Sequence, residues 1–192
     1  MKKILILCLS FFLFNSCAQV VATNSTINDF VMMGVKTNSK ANVNYTFKSD
    51  LADDHFVLMG SLKATTNANI TFKGMLDEYM SSKFLNLSGQ DYAIEITLME
   101  CDISQKMDTG AGNMLMAMSS YGGEASVISK TKVSVTIKGN GVDEVKIISS
   151  SAEENYNTVD NVGMNRIYGN VMNKSYNKVL AVLNGFFESL DI

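Results

Sequence analysis

The chain has 192 residues, 46% of them apolar and 18% charged, with no Pro, no Trp and one His. This length suits one domain, and the apolar share excludes a disordered chain. A formal charge of −3 excludes the broad basic footprint of a nucleic-acid binder.

Met1, Lys2 and Lys3 make a short positive stretch ahead of an apolar run from Ile4 to Phe14. Such a run fits the apolar region of a secretory signal and falls short of the about 20 residues that span a bilayer. It ends in Leu13-Phe14-Asn15-Ser16-Cys17, a small residue directly before a Cys, which resembles a loose bacterial lipobox. The alternative is an ordinary signal peptide cut near Ala18. On the lipobox reading, residues 1–16 are a lipoprotein signal peptide and Cys17 carries the lipid. Diacylation plus an N-acyl chain is enough for stable anchoring. The mature chain then holds 14 Lys+Arg against 19 Asp+Glu. Residues 17–28 are small and polar and read as a lipidated tether, and residues 29–192 as a single domain. Cys8 leaves with the signal and Cys17 is acylated, so Cys101 remains without a disulfide partner.

Within the domain, Phe30 to Val35 and Val43 to Phe47 read as strands, and so does His55 to Met59. Phe72, Met75, Leu76, Tyr79, Met80 and Phe84 then fall on one helical stripe, with Asn67 or Asn69 as cap, and the helix ends before Asn86-Leu-Ser-Gly89. Tyr92, Ile94, Ile96 and Leu98 alternate as a half-buried strand, after which the apolar phase slips to Met99, Cys101 and Ile103. A one-residue slip moves the buried set to the other face unless a bulge absorbs it, so a bulge is expected at Met99-Glu100. Val127 to Ile137 predicts a strand with Val133, Val135 and Ile137 inward and Lys130, Lys132, Ser134 and Lys138 outward. Gly139-Asn140-Gly141 predicts a hairpin turn, and Val142 to Ser150 its partner strand.

The last helix starts at Asn161 or a neighbour. Its apolar stripe runs through Tyr168, Val171, Met172, Tyr176, Val179, Leu180, Leu183, Phe186, Phe187 and Leu190. Its polar face carries Asn165, Asn170, Asn173, Asn177 and Lys178. Two helices with one apolar stripe each should cover one face of a mostly antiparallel sheet, an α+β two-layer sandwich.

Few residues offer chemistry. His55 follows Asp53 and Asp54, but a zinc site wants three or four ligands and a triad wants a nucleophile motif, so a surface turn before a strand is the better reading. Met114-Leu-Met116-Ala-Met118 alternates thioethers, which suit Cu(I), yet no His, Cys or Trp stands nearby to complete a site. Gly110-Ala-Gly112 and Gly122-Gly123 bracket this run without P-loop spacing. Residues 110–123 therefore stand as the candidate interaction surface, with Met114, Met116, Met118 and Tyr121 at its centre, against the alternative of a plain connection. Cys101, on a strand with no basic neighbour, reads as a buried inert thiol.

The layout from Phe72 to Leu190 resembles the YajG-type lipoproteins. The shared features are a lipobox, short strands, a helix ending in a polar-Gly turn, then YAIEITLMECDIS, KTKVSVTIK, a GNG turn and NKVLAVLNGFFESL. Residues 104–124 are longer than that family's connection. The Gly110-Ala-Gly112…Tyr121-Gly-Gly123 passage is also similar to curli-secretion-type and penicillin-binding-protein-activator lipoproteins. The resemblance implies a small α/β periplasmic accessory domain and no catalytic residues.

The reading that results is a non-catalytic lipoprotein without cofactor or metal, held to the membrane through Cys17. It faces the periplasm from the outer membrane and binds an envelope protein, with a homo-oligomer left open and no nucleic acid as partner. The alternative is an auxiliary lipoprotein of a lipid or ABC-type transport system that touches lipid.

Overall fold

Period-two segments need a neighbour to satisfy their backbone, and period-3.6 segments need a surface to bury their stripe. The arrangement of this chain follows from meeting both needs at one interface. The computed structural model describes residues 19–20, 39–52, 55–59, 62–66, 68–107, 124–157 and 164–192. In chain order these form β1 (Gln19–Val20), β2 (Ser39–Ser49), β3 (His55–Met59), β4 (Leu62–Thr66) and α1 (Ala68–Lys83). They are followed by β5 (Phe84–Asn86), β6 (Tyr92–Met107), β7 (Glu124–Gly139), β8 (Val142–Asn157) and α2 (Met164–Ser189). The expected strand at Phe30 to Val35 lies outside the described residues, as do the cap candidate Asn67 and the helix start Asn161.

The principal sheet has the order β5-β2-β6-β7-β8, and β1, β4 and β3 form a second, small sheet. In the latter β3 and β4 pair antiparallel from His55↔Thr66 to Met59↔Leu62. Gln19 and Val20, within the stretch assigned to the tether, pair in parallel with Ala64 and Thr65.

The fold is α+β with both helices on one face, as the two apolar stripes require. The sheet, however, is mixed: β2 runs parallel to both of its neighbours, while β6, β7 and β8 are antiparallel. The reason lies at the turn after α1. The short strand β5 lies beside the start of β2, with Ser39↔Phe84 and Asn42↔Asn86. The chain then crosses over β2 and resumes on its other side as β6, starting at Val43↔Tyr92. At the crossing Gly89 N–H donates to Val43 O and Asp91 N–H to Asn42 O, both at 3.0 Å. A Cβ on Gly89 would sit 2.1 Å from Asn42 Cβ, so the polar-Gly turn is a steric requirement of passing one strand over another.

The expected bulge is present: register shifts between Leu98↔Val133 and Glu100↔Lys132, leaving Met99 as the extra residue. Ile94, Ile96 and Leu98 before it, and Cys101 and Ile103 after it, are thereby all buried on the helix side. The GNG turn closes a hairpin with Gly139↔Val142. Asn140 (φ 45°) and Gly141 (φ 83°) both take the left-handed conformation of a type I′ turn.

Three local readings are corrected. Phe84 is not the last residue of the helical stripe but the first of β5, where it stays buried against Phe187 with ring centroids 5.4 Å apart. Asn69 does not cap the helix; it lies in the first turn, accepts from Ser49 Oγ and donates to Ala52 O at 3.1 Å, tying α1 to the end of β2. Asn177 is buried rather than on the polar face, and its amide donates to Asn173 O (2.9 Å) in the preceding turn. In addition β8 continues past Ser150 to Asn157, because Ile148 and Ala152 keep the alternation that the surrounding polar residues mask.

The core lies between the helices and the sheet. Phe72, Tyr79, Tyr176 and Phe187 are fully buried there, and Phe72 meets Tyr176 edge-on at 5.1 Å. Each such side chain contributes roughly 1.5–3 kcal/mol by leaving water.

Candidate functional site

With one face of the sheet sealed by α1 and α2, the other face is where recognition chemistry can sit. Side chains alternate across a strand, so the inward set of each strand dictates the outward set. Opposite Ile94, Ile96 and Leu98 stand Glu95 and Thr97; opposite Val133, Val135 and Ile137 stand Lys132, Ser134, Thr136 and Lys138. On β8 the outward residues are Asp143, Val145, Ile147, Ser149 and Ser151. The result is a face of lysines, carboxylates and hydroxyls with a small apolar strip at the β8 side. Lys48 pairs with Glu95 and Lys138 with Asp143 (3.9 Å) across it. These are exposed pairs that contribute little to stability and leave the charges available.

The bulge at Met99 gives this face its shape. Bulges bend and twist the strand that carries them. Beside it lies an open, polar basin of about 360 Å³ lined by Glu100, Lys130, Thr131, Lys132, Ser149, Ser150 and Ser151. Register places Glu100 opposite Lys132, and Lys132 opposite Ser149. Among the described residues neither Lys130 nor Lys132 has an ion-pair partner. Two ammonium groups beside two serine hydroxyls can hold an anionic group, and Glu100 can accept from a hydroxyl of the same ligand.

Behind the basin, a row of small hydroxyls ties the sheet to α2. Ser150 Oγ donates to Ser175 O and Ser175 Oγ to Thr131 Oγ1, each at 2.8 Å. The sequence reading passed over Ser175, yet its slot is signalled: it falls on the buried stripe of α2, seven residues after Tyr168. The basin itself had no sequence signal beyond the alternation of Lys130 and Lys132, because Ser149-Ser150-Ser151 looks like a strand end.

The structure places the other candidates as follows. Cys17, Met114, Met116, Met118 and Tyr121 lie outside the described residues. His55 opens β3, its backbone opposite Thr66. Cys101 is buried and free, with Sγ 3.2 Å from Tyr176 Oη, and burial pushes its thiol up to about 11. A thiol held protonated in the core does not act as a nucleophile. Among the described residues no three His, Cys, Asp or Glu side chains gather as a cation site, and no helix is long and apolar enough to cross a membrane.

No family model and no curated protein matches the chain. Solved structures do. Rare lipoprotein B from Shewanella oneidensis is similar with a TM-score of 0.51 at 9% identity, over 79% of this chain and 100% of that one. A minor lipoprotein from Acinetobacter baumannii is similar at 0.45 and 10% identity, over 78% and 92%. A DUF330 protein from Xanthomonas campestris is similar at 0.47 and 9%, over 89% and 98%. The Shewanella and Acinetobacter proteins are described as lipoproteins, and the likeness to the Shewanella protein is one of fold.

Proposed function

We propose that the chain is a lipid-anchored accessory module of the bacterial cell envelope, related in layout to the YajG-type lipoproteins. Cys17 holds it to the outer membrane from the periplasmic side, and the sheet face turned away from the helices receives an envelope protein. The observation that carries this reading is the division of the sheet. One face is filled by fully buried rings, and the other presents charge and hydroxyls on rigid strands around the basin at Met99. That is the build of a surface that recognises another surface rather than of a closed reaction chamber. The fold of rare lipoprotein B and the lipobox before Cys17 support the anchor.

The test uses the full-length chain with a photocrosslinking residue replacing Ser149 in the basin, beside the same residue replacing Val182 on the exposed side of α2. Capture of one defined envelope protein from Ser149, absent from Val182 and lost in a Cys17→Ser background, is the expected result. Equal capture at both positions, or capture unaffected by Cys17→Ser, overturns it. Phospholipid at the Ser149 position would instead assign the chain to lipid or ABC-type transport, a reading that the ammonium groups of Lys130 and Lys132 at the basin favour.

A further inference from the structure

Among the described residues, β8 forms a long outer edge of the principal sheet. β8 pairs with β7 from Gly139↔Val142 to Glu124↔Asn157 without a register shift, and among the described residues no strand pairs its other side. Exposed edges are ordinarily blunted by Pro, by bulges or by outward lysines. Here there is no Pro and no bulge, and the ammonium of Lys146 lies over the Phe186 ring at 4.6 Å instead of guarding the edge. Val145 and Ile147 meanwhile stand 63% and 57% exposed.

The turn decides which backbone groups the edge offers. In a two-residue type I′ hairpin the flanking residues, Gly139 and Val142, form a hydrogen-bonded pair. Even-numbered residues of β8 therefore turn their N–H and C=O to β7, and odd-numbered residues turn theirs outward. A second strand can be received only in registers that match odd residues to odd residues.

We propose that the occupant is a second copy of the chain, with the two β8 strands pairing antiparallel about a two-fold axis at Val145. In that register Lys146, swinging off the Phe186 ring, stands opposite Glu144 of the copy, twice by symmetry, at the closer, non-hydrogen-bonded positions. On the opposite face Val145 meets Val145 of the copy, and each Ile147 lies diagonal to that pair and across from Asp143 of the copy. Neighbouring registers are worse: centring on Lys146 or on Glu144 opposes like charges, and centring on Ile147 gains no charge pair. Centring on Ser150 would pull Glu154 from Lys174, which it binds at 2.7 Å. Two five-stranded sheets become one continuous sheet, and the exposed edge disappears. This pairing does not depend on Cys17 or on the basin, so it stands or falls separately from the proposed function.

The test is thiol crosslinking of the full-length chain with a short bismaleimide, the unsubstituted chain serving as the background control. Val145→Cys should give a dimer, whereas Ser151→Cys should not, because twelve residues of strand set its two copies roughly 40 Å apart. Lys146→Glu should weaken the dimer about tenfold, and adding Glu144→Lys should restore it. Crosslinking at Ser151 rather than Val145, a charge swap that does not rescue, or a monomer by light scattering each overturn the proposal. So does a different protein captured at Val145.

Discussion

Tyr79 of α1 donates its hydroxyl proton to Asn184 Oδ1 of α2 at 3.0 Å, across 105 residues of sequence. The Tyr79 ring also stacks on Phe187, centroid to centroid 6.4 Å, and burial holds its phenol far above the ordinary range. Both partners are buried, so this bond, with the ring contacts Tyr79–Phe187 and Phe72–Tyr176, registers the two helices against each other. Tyr79→Phe keeps the ring and removes the donor to a buried carbonyl, at a cost of about 1–2 kcal/mol. Denaturant titration should show a lowered midpoint with an unchanged slope.

Deleting Met99 should be tolerated, which is unusual inside a strand. With the bulge gone, Leu98, Glu100 and Cys101 still fall in, out and in, and the ladder with β7 becomes continuous. The expected change is within about 1–2 kcal/mol. Deleting Ser134 from β7, where no bulge exists, turns every later side chain to the wrong face and should abolish folding. Thermal unfolding of the two variants checks both outcomes.

Gly139 carries a φ of 135°, and a Cβ there would lie 2.0 Å from Asp91 O. Gly139→Ala therefore strains both the turn and the crossing beside it, and should cost at least about 2 kcal/mol. Asn140→Gly, one residue on, should stay within about 0.5 kcal/mol. A comparison of melting temperatures distinguishes the two.

Cys101 should be silent to thiol reagents at neutral pH in the folded protein and react once denaturant opens the core. Its folded value of about 11 is raised above the unfolded one, so the folded state keeps a proton that the unfolded state releases. Stability from this group is whole below about pH 8.5–9 and falls as pH rises toward 11, at up to about 1.4 kcal/mol per pH unit. Cys101→Ser should flatten that part of the stability–pH curve.

Local pattern carried the antiparallel half of this fold into view. The slip at Met99, the GNG turn and the stripe of α2 each state a backbone geometry in adjacent residues, and each is found. What adjacent residues do not state is pairing between distant segments. The parallel partners of β2 lie about fifty residues on, so the mixed character of the sheet was illegible. The end of β8 was hidden because Ser149-Ser150-Ser151 shows hydroxyls on both faces, one set bound to Ser175 and one lining the basin. Asn177 and Asn184 look like surface residues but are buried because their amides find partners within α2. The basin combines β6, β7 and β8 through register alone, and register is a tertiary fact.

The crossing at Gly89 also orders events in time. β2 precedes both of the strands that will flank it, and Asn42 and Asp91 are separated by 49 residues. Until those later segments arrive, both of its edges are bare. β6, β7 and β8 can meanwhile zip to one another as soon as they appear, leaving a slot into which β2 must fit. Substitutions that make Ser39 to Ser49 more adhesive should therefore lower the yield of folded protein while leaving the stability of the finished molecule unchanged.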